Sequence, residues 1–441
     1  MTEAPKLTGT SGPSRRQFLA ASAISVPLAS RAGVALAEPS TIQSVDADLR
    51  HYIGFGNKQS GGPGDQACGH WLEDELGKAG YSIERQGFSV PWFEEERAEL
   101  ISGEARALVW PQPIVRSTGS DGITGPIIRV DARGLSDRPL ENAIALVDLP
   151  FGRWSSMFWD QVRTPVDAAM AGGAKACVIV TNGPSGKVIA LNTDGRQPLY
   201  EQPVALLAPD DAAPFFAAAQ RGEAVTLYLT GKGGWRPAFN LVGKIDRGRG
   251  RWLVVSTPRS GWFTCAGERG GGIAAWLHIA RWASKALPDY DLAFVCNSGH
   301  EYQHLGAEEL LQKVAPKPGE TAFWFHLGAN LAARDWHDVV GPRKPLPGTD
   351  SQRYLVVSPA LVPLARNAFT GLAGLEAPYR SDELSAGELS NIIAAGYEQV
   401  AGVFGNHRFH HVKDDDENCV SADAVSATIL AFRQLLEQAL G

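Results

Sequence analysis

From Asn240 to the C-terminus the chain alternates short apolar runs with amphipathic stretches, and this rhythm narrows the fold more than any other feature. Apolar runs rich in β-branched and aromatic residues predict strands at 240–244, 252–256, 292–296, 322–327 and 399–404. Helical periodicity predicts helices at 271–285, 307–314, 358–371 and 421–439. Strand–helix alternation of this kind implies the α/β class, with a mostly parallel sheet sandwiched by helices.

In such sheets ligands bind outside the carboxyl ends of the strands. The segment Val295-Cys-Asn-Ser-Gly-His-Glu-Tyr-Gln-His-Leu-Gly-Ala307 places His300, Glu301 and His304 just beyond the strand predicted at 292–296. Imidazoles and a carboxylate at that position suit a metal or acid–base site. Eight of the ten histidines fall between His278 and His411, which places the chemistry in this half of the chain.

Upstream the pattern differs. Residues 46–85 read as helical, broken by Ser60-Gly-Gly-Pro-Gly64, with a helix at 65–79 and a strand at 82–88. Residues 94–235 hold short β-rich runs among Gly, Pro and Asp turns, with one clear helix at 166–171, and read as a separate inserted domain. The expected organisation is an α/β domain built from 38–93 and 236–441, interrupted by the domain at 94–235.

Ser14-Arg-Arg-Gln-Phe-Leu-Ala20, an apolar run to about Ser30 and Ala35-Leu-Ala37 form a twin-arginine export pattern with a cleavage site, which makes residues 1–37 a signal peptide. That predicts a periplasmic or extracellular protein that crosses the membrane already folded. Removing 1–37 takes away four cations and one anion, so the formal charge moves from −7 to −10. No basic patch interleaved with aromatics is present, which argues against a nucleic-acid partner. No later run approaches the roughly 20 apolar residues of a membrane span. The five cysteines contain no C-x-x-C pair, and their odd number leaves at least one thiol free. The pattern does not say whether a disulfide forms, and it leaves the oligomeric state open.

The order of these features resembles the exported bacterial zinc aminopeptidases of metallopeptidase family twenty-eight, whose relatives include glutamate carboxypeptidase and glutaminyl cyclase. The resemblance runs from about Asp46 to Gly441. Ser60-Gly-Gly-Pro-Gly64 with Trp71-Leu-Glu-Asp-Glu-Leu-Gly-Lys-Ala-Gly-Tyr-Ser-Ile83 is similar to the family's N-terminal helix and strand. Gly125-Pro-Ile-Ile-Arg-Val130 and Ala168-Ala-Met-Ala-Gly-Gly-Ala-Lys-Ala-Cys-Val-Ile-Val180 resemble its inserted protease-associated domain, and Asn240-Leu-Val-Gly-Lys-Ile245 resembles its re-entry strand.

The family's two-zinc site carries over only in part. Pro258 and Ser260 stand where a ligating His and Asp belong. The resemblance implies Glu268 at the metal-bridging position with Arg269 beside it. His300 falls at the general base and Glu301 at the ligand that follows it. His326 replaces the Asp closing the first metal site, and His411 is the last ligand. Glu268, Glu301 and His411 would then hold one zinc, with an open fourth position and His326 as an extra donor; two ions are not ruled out by the pattern. His300 would move the proton. Arg269, with His304 and His410 near the site, would contact substrate. The implied activity is hydrolysis of a peptide or small amide. The alternatives are a glutaminyl cyclase-like acyltransferase and a catalytically inactive binding protein on the same fold.

His300-Glu301-x-x-His304 also matches the zincin pattern, which requires a helix already running at the first His; the strand before it and Gly299 argue against that. Asn297-Ser-Gly-His300 is not a G-x-S-x-G nucleophile elbow. Asp414-Asp-Asp-Glu417 lacks EF-hand spacing and reads as a solvated loop.

Overall fold

The computed structural model describes residues 37–337 and 343–441. The expected signal peptide therefore lies outside the described residues, save for its last one. At the centre of the α/β sheet, four strands run parallel in the order Asp291–Asn297, Trp252–Pro258, Thr321–Leu327, Val400–Phe404. Ala224–Ile245 flanks them antiparallel on one side, and Tyr354–Val357 flanks them antiparallel on the other.

Side chains alternate across this sheet with the period of two that a pleated strand imposes. Leu253, Val255, Phe294, Phe323 and Phe325 enter one core with the helices Pro39–Gly54, Pro63–Lys78, Gly271–Ala286 and Ala422–Leu440. Val254, Ala293 and Trp324 enter the other with Leu310 of Leu305–Lys313 and Leu389 and Ile392 of Glu388–Ala394. Being covered on both faces is why the middles of these strands read as apolar runs.

The chain leaves Trp252–Pro258 through Gly271–Ala286 to the neighbouring strand on one side, Asp291–Asn297. It then returns through Leu305–Lys313 to Thr321–Leu327 on the other side. The order of the sheet thus reverses at Trp252–Pro258, and a crevice opens at the carboxyl ends there.

Ser82–Ser102 and Ala224–Ile245 form one long antiparallel ribbon, paired from Ser82 with Lys244 to Ile101 with Thr226. Of this ribbon the sequence showed strands at 82–88 and 240–244. The ribbon leads to a second group of strands ordered Ala105–Pro111, Val204–Leu207, Ala176–Val180, Ile144–Asp148, Ile123–Val130, whose last four are mutually parallel. Asp160–Ala171 packs on one face through Val162 and Val166, and Ala213–Arg221 on the other through Phe215 and Ala218. This block is therefore itself layered α/β, where the sequence suggested a mainly β unit.

One helix expected at 358–371 is divided. Tyr354–Val357 is a strand, Pro359–Leu361 a single tight turn, and the helix proper is Val362–Ala368. Pro359 and Pro363 lack amide donors and are tolerated only at the starts of these turns.

Candidate functional site

At the crevice, Cys265 takes a left-handed conformation (φ 42°) and opens a wide turn, Ala266–Gly270, ahead of the helix Gly271–Ala286. Asp415 caps this turn. Its Oδ1 accepts from Gly267 N at 2.7 Å and its Oδ2 from Glu268 N at 3.0 Å, while His407 Nε2 lies 3.2 Å from Oδ2. A Cβ on residue 267 would come within 2.9 Å of Asp415 Oδ1 and 2.8 Å of His407, so glycine is required there. The acidic stretch read as a solvated loop thus contributes a buried cap, although Asp414 and Glu417 are exposed. The cap aims Glu268 inward.

His411, with φ 59°, meets Glu268 from the other side, its Nε2 3.3 Å from Glu268 Oε1. Its Nδ1 lies 2.8 Å from Ala190 O, and only an N–H can bond a carbonyl, so Nδ1 carries a proton and Nε2 is the nitrogen turned toward Glu268. His410 stacks on His411 with ring centroids 3.9 Å apart and approaches Ser155 Oγ with Nε2 at 3.3 Å. Ala190 and Ser155 both come from the 94–235 block, so that block orients both imidazoles.

Glu268, His410 and His411 are buried and bring three ligand-type atoms within 4.8 Å of one another. Both Glu268 oxygens, His410 Nδ1 and His411 Nε2 lack a hydrogen-bond partner. One carboxylate oxygen and two imidazole nitrogens left unpaired in the interior fit a zinc ion by donor chemistry. Burial pushes the Glu268 carboxyl up, but Arg269 and then His411 overrule it and hold it well below the usual carboxylate range. Burial, reinforced by His411, holds His410 well below its ordinary value, so it is a neutral imidazole.

Glu301 does not join this group. Ser60 donates its amide to Oε1 at 2.9 Å and its hydroxyl to Oε2 at 2.6 Å, and Ser260 donates to Oε2 at 2.7 Å. Three donors hold the carboxylate at Ser60 and Ser260, and it is not among the clustered ligand atoms. Burial raises its pKa, and the two hydroxyls oppose the rise. Ser260, at the position of an acid in the resemblance, thus serves as a donor to another acid. Ser260→Ala removes one donor from a buried carboxylate and is expected to cost about 1–3 kcal/mol, read as a lower urea midpoint at unchanged m.

His300 lies in a turn. Its Nδ1 is 2.9 Å from Glu388 Oε1, and Asn297 Nδ2 donates to Glu388 Oε2 at 2.9 Å. The carboxylate therefore fixes the proton on Nδ1 and leaves Nε2 as acceptor, the orienting logic of a histidine–carboxylate pair. Burial and then Arg269 hold His300 well below its ordinary value. His304 has φ 63° and precedes the helix Leu305–Lys313, so His300 and His304 do not share a helix and the zincin geometry does not form. His304 Nδ1 is 3.0 Å from Asn391 Oδ1. His326 Nδ1 is 2.9 Å from Ser256 Oγ, and it too lies apart from the Glu268 donor group. Burial brings it down to about 4.

Arg269, His300, His304, His326 and His410 all line one cavity of about 1100 Å³. The sequence thus singled out five residues of its wall, and the structure regroups the candidates. Glu268, His411 and His410 come together as donors, His300 pairs with Glu388, and Glu301 and His326 stand apart. Ser60, Glu388, Asn297 and Asp415 were not singled out. The only sequence signal for Ser60 was the Gly- and Pro-rich break around it.

No family model matches the chain. A probable lipoprotein aminopeptidase, LpqL, of Mycobacterium tuberculosis is 28% identical over 249 residues, which cover 51% of this chain and 45% of that protein. The chain thus matches less than half the length of this curated relative. Among solved structures, the zinc aminopeptidase of Bacillus subtilis superposes with a TM-score of 0.68 at 15% identity, covering 90% of this chain and 95% of that one. An aminopeptidase from an Aneurinibacillus strain gives 0.62 at 17% identity, covering 90% and 93%. A peptidase M28 precursor from Shewanella amazonensis gives 0.67 at 14%, covering 90% and 91%. The chain has the fold of the zinc aminopeptidases.

Proposed function

We propose that this chain is a metal-dependent, peptidase-like hydrolase with one metal ion, zinc, held by Glu268, His410 and His411. One observation carries the reading: these three buried groups converge, with four ligand-type atoms that make no hydrogen bond, at the crevice of an aminopeptidase fold. The names of the similar proteins support it, since they describe zinc aminopeptidases and a lipoprotein aminopeptidase.

Zinc at this position would act as a Lewis acid on the scissile carbonyl. The chain's own residues do the rest. Glu388 holds His300 with Nε2 open to the cavity, where it accepts and returns a proton. Asp415 and Ala190 fix Glu268 and His411 in position. Glu301 organises the wall by tying Ser60 to Ser260. We further propose residues 94–235 as a protease-associated domain whose Ser155 and Ala190 complete the site. Export by the twin-arginine pattern is consistent with a relative described as a lipoprotein, and no described helix is long and apolar enough to cross a membrane.

Arg269 favours a second reading. Its Nη2 lies 2.7 Å from Glu268 Oε1 and already supplies a positive charge there, as a binding protein without metal would require. The two readings separate in one assay. Hydrolysis of dipeptides and N-acyl dipeptides by the hydrolase stops with a chelator and returns with zinc, whereas a binding protein shows no turnover in either state.

A further inference from the structure

We propose that the substrate of this site carries a free carboxylate and that Arg269 is the group that binds it. The inference rests on reading the cavity as the chain's substrate site and adds a substrate class to that reading.

Among the described residues, three arginines are almost fully enclosed: Arg259, Arg269 and Arg353. The fold spends the N–H groups of two of them. Arg259 donates to Cys296 O at 3.0 Å and Phe239 O at 2.8 Å and pairs with Asp65 at 3.0 Å. Arg353 donates to the carbonyls of Ala373 and Leu331 and to Thr349 Oγ1. Arg269 differs. It touches Glu268 Oε1, but not in hydrogen-bonding geometry, and Nε, Nη1 and Nη2 are all without a hydrogen-bond partner. A buried guanidinium with unused donors is costly unless something supplies acceptors. Arg269 is part of the cavity wall, so that supply comes from the cavity.

A carboxylate is the ligand whose two oxygens match the guanidinium fork. Among the described residues, the carboxylates at or beside this cavity are already engaged: Glu308, on its wall, is paired with Arg196. Glu268 faces Arg269, Glu301 is saturated by two serines, and Glu388 is held by His300 and Asn297. At the mouth of the same cavity, Phe151 and Trp159 are exposed aromatics, 74% and 39% accessible, beside Phe158. A compact acid with an apolar side chain, such as an N-acyl amino acid or a peptide C-terminus, fits both features.

The test is calorimetric binding of N-acetyl-L-phenylalanine, N-acetyl-L-phenylalaninamide and L-phenylalaninamide to the full chain, before and after chelation. The acid should bind about tenfold or more tighter than either amide, since a two-point charge-assisted contact is lost in both. That preference should survive chelation and fall below about threefold in Arg269→Gln. If Arg269→Gln does not fold, Arg269→Lys keeps the charge without the fork and should still reduce the preference. Equal binding of acid and amides, tightest binding of L-phenylalaninamide, no binding of any of the three, or a preference that disappears on chelation would each overturn the proposal. Acid preference in a chain that takes up no metal would uphold it while removing the hydrolase reading.

Discussion

Glu268→Ala is expected to abolish metal uptake and lower hydrolysis at least about a hundredfold, because losing a ligand exceeds the 10–100-fold cost of losing a group behind one. It should also destabilise the fold. Arg269 is buried against Glu268, with Nη2 2.7 Å from Oε1, and among the described residues no group hydrogen-bonds to its guanidinium. Breaking a buried pair by deleting one member leaves an uncompensated charge and typically costs about 3–5 kcal/mol. Urea unfolding of metal-free protein isolates this second effect from metal binding. Unchanged turnover together with a stability loss under about 1 kcal/mol would contradict both the ligand role and the charge pairing.

The second large effect is loss of stability in mild acid. His326 falls from its ordinary 6.5 to about 4 in the folded chain, chiefly through burial. Its folded value lies below its unfolded value, so between these limits the unfolded chain binds more protons and stability rises with pH. The stabilisation is complete above about pH 6.5 and lost as pH falls toward 4. A drop of this size corresponds to about 3 kcal/mol for His326 alone. His300 and His410 are shifted in the same direction by the same cause and steepen the loss. Glu268, whose folded value lies below its ordinary 4.5, contributes stability that disappears only below that pH. Urea midpoints of metal-free protein between pH 8 and 4 measure this; a flat profile down to pH 5 would show that these histidines are not held neutral. His326→Asn should flatten part of the profile.

The central sheet was legible because strands covered on both faces must be mostly apolar, and 252–255, 292–296 and 322–325 are unbroken apolar runs. The ribbon of Ser82–Ser102 and Ala224–Ile245 was not, because most of its middle is exposed and its polar residues and glycines interrupt the alternation. The structure brings Glu268 and His411 within 3.3 Å of each other, and each sits beside an element the sequence could place, the helix at 271–285 and the strand at 399–404. Glu388 was hidden in a polar stretch on a short helix, Glu388–Ala394, whose place beside His300 depends on tertiary packing. Glu301 misled for a related reason. Its position beside His300 suggests a ligand, yet its direction is decided by Ser60 and Ser260, which lie 241 and 41 residues away in sequence. Pairings over such separations leave no periodic signature in the chain.

The most direct test of the metal-site claim is elemental analysis of the folded full chain, purified without added metal and then equilibrated with zinc. One zinc per chain, retained through gel filtration and lost in Glu268→Ala and His411→Ala, is the expected result. No zinc, with no uptake on equilibration, would contradict a metal centre at Glu268, His410 and His411.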